Sequence, residues 1–88
     1  MSLSFRQLRY FVATAEQGQI SYAATQLSIS QSAVTTAIKE LEKSIGRQLG
    51  LRVQVKATGK KGRGRLMIHY GSLEQFDSLM TKLGVSTE

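Results

Sequence analysis

Apolar residues recur at helical spacing through the first half of the chain and alternate with polar ones through much of the second. Ser4-Phe5-Arg6-Gln7 has the form of a capping box, a hydroxyl at the N-cap with an amide side chain three residues on. Phe5, Leu8, Phe11, Val12 and Ala15 follow at helical spacing and Gly18 suits a left-handed stop, which predicts a first helix over 5–17. A second, short helix is predicted from Ser21 to Leu27, where Ala23 and Ala24 permit close helix contact. Ser28-Ile29-Ser30 reads as a tight turn, with Ile29 inward and Ser30 capping a third helix. Val34, Ile38, Leu41 and Ile45 form its buried stripe, and it is expected to end at Gly46 or Gly50. Gln31, Ser32, Thr35, Thr36 and Lys39 fall on its other faces.

Beyond Gly50 the period changes to two. Leu51–Lys56 and Arg65–Tyr70 alternate as strands do, with Leu51, Val53, Val55, Leu66, Ile68 and Tyr70 on one face. Arg52, Gln54, Lys56, Arg65, Met67 and His69 take the other. Thr58–Gly64, basic and glycine-containing, joins them and is the only flexible-looking stretch. Ser72-Leu73-Glu74-Gln75 is a second capping box, opening a helix with Leu73, Phe76, Leu79, Met80 and Leu83 on one side and Gly84 at its end. The fold class expected is α+β: a three-helix head over 1–49, then a β-hairpin and C-terminal helix over 50–88, in winged-helix-like order. Two short helices joined by a tight turn describe a helix-turn-helix. A helix of that diameter fits the major groove, where its N-terminal residues can meet base edges.

Length sharpens the picture. A chain of 88 residues hides only about 60–65% of its unfolded surface on folding. There is no cysteine to staple it, and one histidine with six dispersed carboxylates makes no conventional zinc site, so no metal or cofactor is expected. A lone two-stranded hairpin is marginal in water. Pairing with a twin is the remaining source of stability, giving a four-stranded sheet over the two final helices. The expected homodimer interface is Leu51, Val53, Val55, Leu66, Ile68, Tyr70, Leu73, Phe76, Leu79, Met80 and Leu83.

Charge narrows the function. Twelve basic against six acidic residues give +6, pointing to a polyanion and to nucleic acid first. Arg52, Lys56, Lys60, Lys61, Arg63 and Arg65 follow one another with no acid between them, which favours phosphate contact. No apolar run approaches the ~20 residues needed to span a bilayer, so no membrane partner is expected and the compartment is read as cytoplasmic and nucleoid-associated. Catalysis finds no support: no nucleophile elbow, no second histidine, and a Gly-x-x-Gly-x-Gly run between two strands rather than in P-loop order.

Leu8-Arg9-Tyr10-Phe11-Val12, Ala23-Ala24, Leu27 and Ser30-Gln31-Ser32-Ala33-Val34-Thr35-Thr36-Ala37-Ile38-Lys39-Glu40-Leu41-Glu42 closely resemble the DNA-binding head of LysR-type transcriptional regulators, over about 3–49. The resemblance implies that Gln31, Ser32, Thr35 and Thr36 face DNA, with Ser21 near a phosphate; Lys39 lies beside them. Ser32 stands where proline is usual and Thr36-Ala37 replaces the commoner Arg-Gln, which weakens the case for guanine readout. Gly50 stands where that family has Phe, and there the motif stops. The tail from about Ile45 to Gly84 resembles the C-terminal dimerisation domain of ParB-type partition proteins, through Leu49–Val53, Gly59–Gly64, Leu66–Tyr70 and Ser72–Phe76. That likeness implies paired hairpins whose basic outer surface, Arg52 to Arg65, holds DNA without reading it.

Together the two resemblances suggest a fusion, natural or engineered. The competing reading keeps one family throughout, with the hairpin as the wing of a winged helix and 72–83 as a shortened linker helix. Both give the same element order. The function expected is a homodimeric, non-enzymatic, double-stranded-DNA-binding protein of transcription-regulator type. Two heads about 34 Å apart would favour a palindromic site. No small-molecule effector is expected, since 88 residues leave no room for a ligand-sensing domain. The alternatives are an assembly module whose head does not engage DNA, and a nonspecific nucleoid or partition-type binder.

Overall fold

The three head helices owe their ends largely to local capping. In the computed structural model, which describes residues 4–85, the elements run α1 (Phe5–Gln17), α2 (Ile20–Leu27), α3 (Gln31–Leu49), β1 (Arg52–Ala57), β2 (Gly64–His69) and α4 (Leu73–Lys82). Ser4 Oγ accepts from the Gln7 N–H at 3.2 Å and Ser30 Oγ from the Ala33 N–H at 3.1 Å. These bonds satisfy donors that a helix leaves open at its first turn. The return bond of the first capping box is not made; Gln7 Oε1 is buried without a hydrogen-bond partner. In the second capping box, Ser72 Oγ accepts from the Gln75 N–H, while Gln75 Oε1 accepts from the Gly71 N–H, one residue before the cap.

Small residues build the head. Ala23 and Val34 are fully buried, with Ala13, Ala24, Ala37 and Leu41 beside them and the Thr14 hydroxyl donating back to the Tyr10 carbonyl at 2.9 Å. Alanines at these crossings let helix axes approach closely, and such a core tolerates little added volume. The expected stripe on α1 is displaced: Phe5, Leu8 and Val12 are exposed, and its buried side is carried by Ala13 and Thr14. Helix α2 begins one residue earlier than expected, at Ile20, because the extended N-cap backbone is that of Gln19.

Helix α3 runs past Gly46 and stops at Gly50, whose N–H bonds the Gly46 carbonyl. Gly46 is needed for a different reason than termination. A Cβ there would lie 2.7 Å from the Leu51 carbonyl oxygen, so only glycine lets the chain fold back on α3 into β1.

The strands pair antiparallel, with Val53 opposite Ile68, Val55 opposite Leu66 and Lys56 opposite Arg65. Each strand is shifted one residue from expectation: β1 takes in Ala57 and releases Leu51, and β2 takes in Gly64 and releases Tyr70. The β1 edge is not bare. Glu42 on α3 accepts a hydrogen bond from the Val55 N–H at 2.8 Å, covering an edge amide that β2 does not reach. Val53 is buried within the single chain, but Leu66 remains 58% and Tyr70 52% exposed.

Helix α4 is held through Leu79, 5% exposed, through Tyr70 stacked tilted on Phe76 at 5.1 Å, and through Lys82 Nζ donating to the Leu49 carbonyl at 3.0 Å. Its Leu73 and Leu83 stay in the open. A radius of gyration of 14.7 Å, against about 12 Å for a compact domain of this length, reflects this extended tail.

Candidate nucleic-acid interface

The turn between α2 and α3 sets the exposed end of α3. Ser28 takes the left-handed conformation (φ 58°), its N–H bonding Thr25, while the Ile29 N–H reaches the Ala24 carbonyl at 3.0 Å. This paired ending of α2 turns the chain sharply and leaves Ser30 extended for its capping role. Gln31, Ser32, Thr36 and Lys39 are exposed along the N-terminal half of α3, whereas Thr35 is half-buried. Ser32 is tied by its hydroxyl to Ser30 at 3.1 Å. Ser21, on the first turn of α2, donates its hydroxyl to Gln19 Oε1 at 3.1 Å.

The N-terminus of α3 borders a shallow groove of about 330 Å³ lined by Arg6, Tyr10, Ser32, Thr36 and Glu40. Sequence reasoning misses Arg6, whose place on the first turn of α1 carries no spacing signal toward α3. A wider cleft of about 950 Å³ opens between α3 and the hairpin base, with Lys39, Lys43, Arg47 and Arg52 on its walls. Lys43 and Arg47 are likewise absent from the expected site, although Lys39, Lys43 and Arg47 follow at i, i+4 and i+8, a spacing that puts three cations on one helix face.

The other expected cations separate into two groups. Lys56 and Arg65 lie directly opposite each other across the strands, a like-charge pair that disfavours the sheet unless an anion lies between them. Lys60, Lys61 and Arg63 are exposed at the hairpin tip. That tip is not free, as its composition suggested: Thr58 and Arg63 are bonded across it, Lys60 and Arg63 close a turn, and the Gly62 N–H donates to the Ala15 carbonyl of α1 at 2.7 Å. On the apolar side of the tail, Leu51, Val55, Ile68, Phe76 and Met80 are half-buried, while Val53 and Leu79 are already covered within the chain. Among the described residues no group of three or more acids or histidines could hold a metal, and no helix is long and apolar enough to cross a membrane.

The family model "Bacterial regulatory helix-turn-helix protein, lysR family" matches residues 5–60, so the likeness runs beyond Gly50 and through β1. The chain is 52% identical over 44 residues to the HTH-type transcriptional regulator ClcR of Pseudomonas putida, covering 50% of this chain and 15% of that one. It is 44% identical over 62 residues to the HTH-type transcriptional regulator TfdT of Cupriavidus pinatubonensis, covering 66% and 27%. With the RuBisCO operon transcriptional regulator of Allochromatium vinosum, 35% identity extends over 92 aligned residues, 98% of this chain and 30% of the relative. The chain thus spans between 15% and 30% of the length of these relatives. No solved structure matches it. With the match covering the helix-turn-helix, its capped turn and the first strand of the hairpin, the chain belongs to the lysR family of bacterial regulatory helix-turn-helix proteins.

Proposed function

We propose that this chain is the double-stranded-DNA-reading head of a transcription regulator. The observation that carries the reading is the exposed row Gln31, Ser32, Thr36 and Lys39 at the capped N-terminus of α3, in a chain of this family. Gln31 can bond a base edge in two places, hydroxyls can bond bases or phosphates, and Lys39 adds charge. Ser21 and the half-buried Thr35 support the same face from its margins. Arg52, Lys56, Lys60, Lys61, Arg63 and Arg65 supply sequence-blind phosphate contact, each steepening the salt dependence by about 0.9 in log–log slope. No step of this function calls for a catalytic group or cofactor.

The reading includes self-association. Leu66, Tyr70, Leu73 and Leu83, each more than half exposed, leave the tail with apolar surface that a second copy would cover, at about 25 cal/mol per Å². Pairing there would hold two α3 helices at a fixed separation. The family match through residue 60, and an alignment across 98% of the chain, favour the hairpin as a wing of the same head over a grafted partition-type dimeriser. Selection from a random DNA pool tests the proposal. The chain should enrich a defined motif, and the combined variant Gln31→Ala, Thr36→Ala, Lys39→Ala should enrich none while keeping its melting temperature. Equal binding to all sequences by the parent chain would instead mark a nonspecific coating protein.

A further inference from the structure

Helix α1 ends with carbonyls that have no partner in the next turn, as every α-helix does. Gly18 closes one of them by donating its N–H to Thr14 at 2.8 Å. The next carbonyl, that of Ala15, is satisfied from a distant part of the chain, by the Gly62 N–H of the hairpin tip at 2.7 Å. The same tip presses on Gly18. A Cβ at Gly18 would stand 3.0 Å from the Gly59 carbonyl oxygen and 3.4 Å from its carbon, so the backbones meet where neither residue has a side chain. Gly18 is buried in this contact region and Gly62 holds φ 76°, the third position of a turn closed by Arg63 N–H to the Lys60 carbonyl at 3.0 Å. The turn thereby aims its amide at α1 and leaves Lys60, Lys61 and Arg63 exposed. The negative end of the α1 dipole lies beside these cations, which adds attraction to the hydrogen bond.

We infer that the C-terminal turn of α1 is an anchor for the basic hairpin tip, and that Gly18 is a positioning residue that decides where Lys60, Lys61 and Arg63 meet DNA phosphate. The inference rests on the DNA-binding reading above. It makes the tip a fixed part of the binding surface: the anchored cations arrive at the duplex already ordered, and phosphate contact need not first immobilise a loose loop.

The test compares Gly18→Asn with Gly50→Asn. Both glycines are helix C-caps with positive φ, 85° and 70°, and asparagine tolerates that backbone, so strain is matched. Only the Gly18 variant pushes on the tip; a Cβ at Gly50 meets nothing nearer than Lys82 Nζ at 3.9 Å. Replacing Gly62 by glycolic acid, a backbone ester that removes the N–H while keeping the freedom to hold φ 76° and leaving α1 unaltered, serves if Gly18→Asn does not fold. Gly18→Asn should speed amide exchange at Gly62 at least tenfold. It and the Gly62 ester should each flatten the log–log salt dependence of duplex binding by about one to three, while Gly50→Asn keeps the parental slope. A parental exchange rate at Gly62 in Gly18→Asn, together with a parental slope in both tip variants, would overturn the anchor. Replacing Lys60, Lys61 and Arg63 together by alanine separates the two readings. If that triple variant flattens the slope by about 2.7 and the anchor variants do not, the anchor alone is wrong; if it too leaves the slope unchanged, the tip does not touch phosphate at all.

Discussion

Residues 5–49 and residues 50–85 bury their apolar side chains to different degrees. Six of the eight buried apolar residues lie in the head, Ala13, Ala23, Ala24, Val34, Ala37 and Leu41, and three helices close around them. The tail contributes only Val53 and Leu79, and it leaves Leu66, Tyr70, Leu73 and Leu83 more than half exposed. The head therefore holds its α3 face in place with its own packing. Beyond the turn that ends α3, the tail instead leans on the head through Glu42 under the Val55 amide, the Leu49 carbonyl on Lys82, and Ala15 on the Gly62 amide. A tail of this kind gains most from being covered.

The largest effect should come from roughening that uncovered surface. Leu66→Ser, Tyr70→Ser and Leu73→Ser together should weaken the proposed self-association at least 100-fold, or about 3 kcal/mol, since each large apolar side chain contributes about 1.5–3 kcal/mol when fully buried. Sedimentation across a concentration series reads this, and an unchanged mass distribution would show that this face does not carry self-association. Next in size is Val34→Ala. Removing two methyl groups from a fully buried site should lower stability by about 2 kcal/mol and the melting temperature by about 10 °C. Leu66→Ala, measured in dilute solution, should move it by less than about 0.5 kcal/mol. Equal losses from the two would erase the contrast between head and tail. Smaller still is Ser30→Ala, which removes the N-cap of α3 and should take away about 1 kcal/mol in thermal unfolding, with weakened DNA binding because the capped turn presents Gln31 and Ser32.

Much of the head was legible in sequence because its signals are local. Ser4 and Ser30 cap where capping predicts, as Ser72 does in the tail, and Gly18 and Gly50 end α1 and α3 by the left-handed conformation. What escaped was set by distant parts of the chain. Phe5, Leu8 and Val12 have the periodicity of a core stripe yet face outward, because small residues, Ala13 and Thr14, sit where the helices meet. Gly46 resembles a helix terminator, but its role is to admit the Leu51 carbonyl. Thr58–Gly64 has the composition of a loose loop, and no local rule reveals that its amide completes α1. In the candidate site, Gln31, Ser32, Thr36 and Lys39 were readable from their place on α3, and a signal for Lys43 and Arg47 existed in their spacing with Lys39. Arg6 was not readable, since only tertiary packing brings it to the groove beside Thr36.

The central claim, that the N-terminal face of α3 reads bases, is tested most directly by photocrosslinking from position 36 to a selected duplex, with position 74 on the exposed face of α4 as the reference. The account predicts crosslinks from position 36 to bases within the enriched motif and none from position 74. Crosslinks to that duplex from the hairpin tip with none from position 36 would contradict it.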